Sequence, residues 1–409
     1  MITDLLHPTT IADPYAVYAE LRAAGPVVWL PEHHAWFLST YEAVHAGFRD
    51  ATNLSSDRLT PLERRLDERR RSLLGQTFEL LRGWMVFHDP PDHERLRAPL
   101  RRTFTPRMVE SLRPRVESLV EELCDGLAAT VAERGSVDLI ADFAFPLPAI
   151  VIAELLGVPP ADRDRFKTWS AQLAAIVFGA SNRPDQAEAA AAGSAQFAEY
   201  FSWLIDRYTA EPADNLISAL IAVTGGEDGN GLTPAELVGA LTLLLFGGHE
   251  TTTNFVGNAV HALVRHPDQL GWLRDHHDAI AGAGEELQRY DGSTKLMVRI
   301  VARDHDRHGQ SLRAGQTVFL GVASANRDPA FWGHDADVLR LDRADAAKHV
   351  GFGYGLHFCL GAPLARLEST IAFDGLLRRF GTIELATDSL EHGGTLLGRG
   401  LRTLPVRLA

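Results

Sequence analysis

Gly351-Phe352-Gly353-Tyr354-Gly355-Leu356-His357-Phe358-Cys359-Leu360-Gly361 makes a poor strand and a poor helix, because glycine stands at every second position of its first half. Such spacing suits a tight loop whose backbone comes close to another group. Ala362-Pro363-Leu364-Ala365-Arg366-Leu367-Glu368 then reads as the start of a helix, with proline in the first turn where its missing N–H costs nothing. Cys359 therefore falls at a helix N-terminus, where unpaired N–H groups and the helix dipole favour a thiolate. A thiolate at the mouth of a glycine loop is a soft metal ligand. A buried structural thiol, a zinc site using His357 with Cys359, and a catalytic thiol are the competing readings.

The spelling Phe-Gly-x-Gly-x-His-x-Cys-Leu-Gly, from Phe352 to Gly361, resembles the haem-binding loop of the cytochrome P450 family. The resemblance implies a mainly α fold with a minor β region, with haem held between a long central helix and the helix after the cysteine loop. It makes Cys359 the iron ligand, since a cysteine thiolate holds the haem of P450 enzymes. It also makes Phe352, Gly353 and Gly361 parts of the haem cradle. The cofactor implied is haem b, iron protoporphyrin IX.

Two further stretches fit the same family. Thr233-Pro234-Ala235-Glu236 looks like a helix cap, and the apolar run after it predicts one helix to about Arg265. At about 1.5 Å per residue this helix is on the order of 45 Å long and runs through the core. It contains Gly247-Gly248-His249-Glu250-Thr251-Thr252. Two glycines inside a helix cost about 1 kcal/mol each relative to alanine. A helix that must let a ligand approach has a reason to bear that cost. Thr251 can also bond back to the Gly247 carbonyl and loosen the helix there. By the resemblance, Gly247 and Gly248 adjoin the haem, Glu250 relays protons, and Thr251 orients the hydrogen bond to bound oxygen. His249 is assigned no role.

His93 and Arg97 lie four residues apart, on one face of a helix opened by Asp89-Pro90-Pro91. The pair suits a dianionic partner. In the family, residues here, together with Arg299 and His357, hold the haem propionates. Glu286-x-x-Arg289 matches the family's structural ion pair, and Arg340 resembles its third member, although the usual proline and phenylalanine around that arginine are absent. Lys295 is unusual for its place: it is either solvated or faces the substrate. The arginine-rich stretch 60–83 reads as a solvated, salt-bridged helix or as a lid, with Trp84, Met85 and Phe87 as candidate pocket walls. Trp169, Leu173, Ile176, Val177 and Phe178 either line the pocket or pack helix on helix.

The 409 residues carry a net charge of −13, which gives a nucleic-acid role no electrostatic support. The only two cysteines, Cys124 and Cys359, are far apart, so a reduced, cytoplasmic setting fits better than a disulfide. Residues 1–8 show neither a leader nor a membrane anchor. The chain reads as a single catalytic domain, 1–409, of the soluble bacterial type. The implied activity is a monooxygenase acting on a small apolar substrate with dioxygen. Its electrons would come from a separate ferredoxin and ferredoxin reductase. A hydrogen-peroxide-driven peroxygenase and a non-catalytic haem sensor or carrier are the alternatives.

Overall fold

The computed structural model describes residues 4–177, 184–224, 231–395 and 397–409. Helices dominate and the strands are short. The chain divides into two compact units, one of residues 1–53, 109–148 and 250–409, the other of residues 54–108 and 149–249.

The first unit holds most of the β structure. Val27–Leu30 and Ala35–Leu38 form a hairpin, Ala35–Leu38 runs parallel to Thr317–Leu320, and that strand pairs antiparallel with Met297–Val301. The register sets Val298 opposite Phe319, with Arg299 opposite Val318. A second sheet joins Val137–Asp138, Pro405–Leu408 and Ile383–Leu385. Around these pack the helices Arg113–Arg134, Ile280–Asp291 and Ala362–Arg379.

The second unit is built from helices. Arg163–Val177 lies along Pro184–Ala210, joined by Phe166, Trp169, Phe197 and Tyr200 in edge-to-face and stacked contacts. Gly83 crosses the long helix at Gly239 so closely that a Cβ on either residue would come 2.6–2.7 Å from the other's Cα. Only glycine permits that crossing. Arg95 grips Glu236 through two hydrogen bonds of 2.5 and 3.0 Å, fixing helix Asp92–Thr103 to the start of the long helix.

The long helix appears as read, over Pro234–Arg265. Others differ for local reasons. The stretch 60–83 is three short helices, Leu59–Arg65, Glu68–Leu73 and Gly75–Arg82, not one. Helix Pro106–Ser111 ends before Leu112, and a new one starts at Arg113 with Pro114 in its first turn. The apolar stretch after Leu139 begins as a π-helical turn, Ile140–Ala144, and continues as an α-helix from Pro146. Pro146 has no N–H to carry the regular ladder through. The predicted roof residue Phe178 and the turn 179–183 lie outside the described residues.

Candidate active site

The cysteine loop is a backbone construction. Gly353 has φ +72°, a left-handed conformation that a side chain resists, and its N–H donates to the Val350 carbonyl at 3.0 Å. The Cys359 N–H donates to the Phe352 carbonyl at 2.9 Å, so the chain returns to its own start. Helix Ala362–Arg379 follows, with Pro363 in its first turn. The loop presents Cys359 as an exposed side chain. A Cβ on Gly361 would lie 3.9 Å from its sulfur, an ordinary contact distance, so this residue adjoins the sulfur. The other cysteine is a poor candidate: burial pushes the Cys124 thiol up to about 12.

These facts bear on the earlier alternatives. Among the described residues no group of three or more His, Cys, Asp or Glu could hold a metal ion, which removes a zinc site of the usual kind. One accessible sulfur at a helix start suits a metal that brings its other ligands with it. Haem is such a group, and this loop fits it. His357 lies on the short turn Gly355–His357, which packs against helix Tyr41–Arg49.

The long helix has 32 residues, and most of its interior positions are buried. Gly247 and Thr251 are both exposed and, being four apart, share one face. A Cβ at Gly247 would meet nothing within 4 Å, so no neighbouring protein atom explains that glycine. Gly248 differs: its Cβ would lie 2.9 Å from the Ile152 side chain, which gives this glycine a packing reason. His249 is buried and donates Nδ1–H to the Leu245 carbonyl at 2.7 Å, away from any role in catalysis. Burial raises the Glu250 carboxyl from its ordinary value to about 7. A carboxyl of that kind gives and takes protons near neutral pH.

His93 is fully buried and Arg97 half-buried, both on helix Asp92–Thr103. Burial and the neighbouring Arg97 lower the His93 pKa. Arg299 is buried on strand Met297–Val301, with its guanidinium carbon 6.0 Å from the Phe48 ring centre. His93 and Arg97 belong to the second unit; Arg299, His357 and Cys359 belong to the first. Trp84, Met85 and Phe87 are buried, and Trp84 packs on Phe87 and Phe246. Trp169, Leu173, Ile176 and Val177 are buried as well. For Trp169, helix packing accounts for the position.

Two expectations require correction. The buried pair Glu286–Arg289 is present, with bonds of 2.6 and 2.8 Å, but its third member is Arg343, not Arg340. Arg343 Nε lies 3.2 Å from Glu286 and its side chain is 6% exposed. Arg340 is half in solvent, paired with Asp335 and Asp342, and gives Glu286 only its backbone N–H. The turn closed by the Arg343 N–H on the Arg340 carbonyl carries the later arginine inward.

Lys295 is neither solvated nor available to an anionic substrate. It is 3% exposed, and its Nζ lies 2.5 Å from Asp291, 2.7 Å from the Gly292 carbonyl and 3.1 Å from the Tyr15 hydroxyl. Arg399 holds the same Asp291 at 3.0 Å and also bonds the Ile11 and Ala12 carbonyls, tying the N-terminal segment to a C-terminal strand. Burial lowers the Lys295 pKa to about 8, against the pull of Asp291. Lys295→Ala is expected to lower stability by about 1.5–3 kcal/mol, the range for hydrogen bonds to charged groups. Substrate affinity should stay as in the parent. Thermal melts with a binding titration check both; weakened binding at unchanged stability would restore the pocket-facing reading.

Comparison with known proteins extends the picture from one loop to the whole chain. The cytochrome P450 family profile matches residues 196–392. The chain is 40% identical to a vitamin D(3) 25-hydroxylase of Pseudonocardia autotrophica, over 99% of this chain and 96% of that protein. It is 40% identical to the cytochrome P450 monooxygenase PikC of Streptomyces venezuelae, over 97% and 91%. The crystal structure of a myxobacterial cytochrome P450, CYP267B1, in complex with myristic acid superposes with a TM-score of 0.87, at 37% identity, covering 100% of both chains. Likeness of this extent, on a fold of long helices and small sheets with one exposed cysteine in a glycine loop, has one meaning: the chain belongs to the cytochrome P450 family and is a haem-dependent monooxygenase.

Proposed function

We propose that the whole chain works as one catalytic domain that hydroxylates or epoxidises an apolar, medium-sized molecule, such as a terpenoid, steroid, fatty acid or other secondary metabolite. The observation that carries this reading is the exposed Cys359 at the start of helix Ala362–Arg379. Bound haem supplies the reductive activation of dioxygen, by which one oxygen atom enters the substrate and the other leaves as water. Cys359 would be the residue that binds the iron. Phe352, Gly353 and Gly361 shape the loop around its sulfur. His93, Arg97, Arg299 and His357 hold the two propionates, because cations and N–H donors suit paired carboxylates. Gly247 would keep the long helix slim on the oxygen side, while Gly248 makes room for Ile152. Thr251 orients a hydrogen bond there, and Glu250 exchanges protons with solvent.

Electrons come from a separate ferredoxin and its reductase. Arg101, Arg102 and Arg107 are exposed and give a positive docking face on an otherwise acidic protein. Arg113 is already paired with Glu110 and Glu117. No helix of the described residues is long and apolar enough to cross a membrane, which agrees with a cytoplasmic enzyme.

The vitamin D(3) 25-hydroxylase and the myristate complex support a long apolar substrate. A library screen for substrate-induced shifts of the haem spectrum, followed by turnover of the hits, tests the reading. Product formed with NAD(P)H, ferredoxin and reductase supports it. Product formed only with hydrogen peroxide would make the chain a peroxygenase, and binding with no turnover by either route would make it a sensor or carrier.

A further inference from the structure

Phe352, the first aromatic of the cysteine loop, lies against two basic side chains that share one carboxylate. Arg366 sits in the first turns of the helix after Cys359, with its guanidinium carbon 4.6 Å from the Phe352 ring centre. The His349 ring centre lies 5.5 Å from the same ring on a tilted plane. Glu285 bonds both. It accepts two hydrogen bonds from Arg366, at 2.6 and 2.9 Å, and its Oε2 lies 3.2 Å from His349 Nε2. The other His349 nitrogen, Nδ1, accepts the Gly351 N–H at 3.0 Å, so the ring is tied into the loop backbone. Two bonds from a flat guanidinium to one carboxylate fix direction as well as distance.

Glu285 is the residue just before Glu286 on helix Ile280–Asp291. Glu286 serves the structural pair described above, whereas Glu285 turns to the cysteine loop. Against the effect of burial, its partners lower its carboxyl to about 2, so it stays ionised, and Arg366 follows Cys359 by seven residues, on the helix that the cysteine loop opens. The guanidinium is thus a cation near the thiolate, and Glu285 decides both where it sits and how much of its charge remains uncompensated.

We propose that Glu285 and Arg366 are positioning residues that set the electron donation of the Cys359 thiolate: Arg366 draws negative charge toward itself, and Glu285 moderates that pull while His349 holds the loop in place. The proposal rests on Cys359 being the haem ligand. A cation beside the thiolate stabilises the state with the extra electron, so it favours reduction; a carboxylate on that cation opposes it. Arg366 is 38% exposed in its side chain, so solvent limits the effect.

The test uses the haem-loaded protein and two substitutions of opposite charge effect. Glu285→Gln keeps the shape and removes the negative charge; Arg366→Met removes the positive one. The reduction potential should become more positive in the first and more negative in the second. Each shift should be about three- to tenfold in the one-electron equilibrium, or about 30–59 mV at 59 mV per decade. Arg366→Met should also convert more readily, on reduction, from the thiolate-bound to the thiol-bound carbon monoxide spectrum, and Arg366→Lys should recover most of both signals. Shifts of the same sign, or no shift with lowered melting temperatures, would make the cluster a structural pin and overturn the proposal. If Glu285→Gln fails to load haem, the contrast of Arg366→Met with Arg366→Lys decides the same question. A parent protein lacking the thiolate-type spectrum would instead overturn the haem-ligand reading, which keeps the two failures distinct.

Discussion

Arg289→Ala is expected to yield little haem-loaded protein. Arg289 is 1% exposed. It gives two hydrogen bonds to Glu286 and three more to the carbonyls of Asn326, Ala336 and Val338, at 2.7, 2.7 and 3.1 Å. Its guanidinium also lies 5.3 Å from the Trp332 ring centre. Truncation would leave a buried carboxylate and three carbonyls short of donors. Breaking a buried pair from one side costs about 3–5 kcal/mol, against a total stability of about 5–15 kcal/mol for a typical protein. Arg343 remains beside Glu286, so the loss should stop short of complete unfolding. The haem-to-protein ratio and the melting temperature check this. Normal haem loading with a melt shifted by only a degree or two would mean that the network does not support the fold. Arg340→Ala serves as the control and should change little, since its side chain is half in solvent.

The second large effect concerns proton delivery. Thr251→Ala should uncouple the enzyme: NADH or NADPH is still consumed, hydrogen peroxide rises, and product falls. Glu250→Gln should slow product formation by on the order of 100-fold, the low end for loss of a general acid–base group. Glu250 also predicts a pH dependence with a definite sign. With its carboxyl near 7, product formation that uses the protonated form should fall as pH rises through that value, and Glu250→Gln should lose this limb of the profile. Stability follows the same logic. The folded carboxyl holds its proton more tightly than the unfolded one, whose ordinary value is 4.5. Ionising it therefore costs stability, nothing below about pH 4.5 and the full amount above about pH 7. Glu250→Gln should melt higher than the parent at pH 8 and no higher at pH 4. Full coupling in Thr251→Ala, with an unchanged pH profile in Glu250→Gln, would remove both residues from the mechanism.

The parts of the site that could be read in the sequence are those fixed by local chemistry. Alternating glycines, a cysteine and a helix-starting proline define the loop at 351–363 in consecutive residues. The long helix shows its own start at Thr233-Pro234, and its apolar run carries it to Arg265. What escaped depended on partners distant in sequence or on turn geometry. Lys295 looked idle because one of its partners, Tyr15, lies 280 residues away; the other, Asp291, stood four residues upstream and was a signal available to read. Arg343 was missed because two arginines three residues apart compete for Glu286, and only the turn between them decides which one points inward. Gly247 and Gly248 look alike in the sequence, yet only Gly248 has a neighbour, Ile152, that requires it. The break at Leu112 and the π-turn before Pro146 were each signalled by a nearby proline that the apolar periodicity hid.

The account depends on the sulfur of Cys359 bonding the haem iron as a thiolate. Carbon monoxide binding to the reduced, purified protein reads that bond directly. The absorption maximum should move to the long wavelength characteristic of a thiolate opposite carbon monoxide, and Cys359→Ala should abolish the shift. A maximum that stays at shorter wavelength in the parent, with the haem spectrum of Cys359→Ala unchanged, would contradict the central claim.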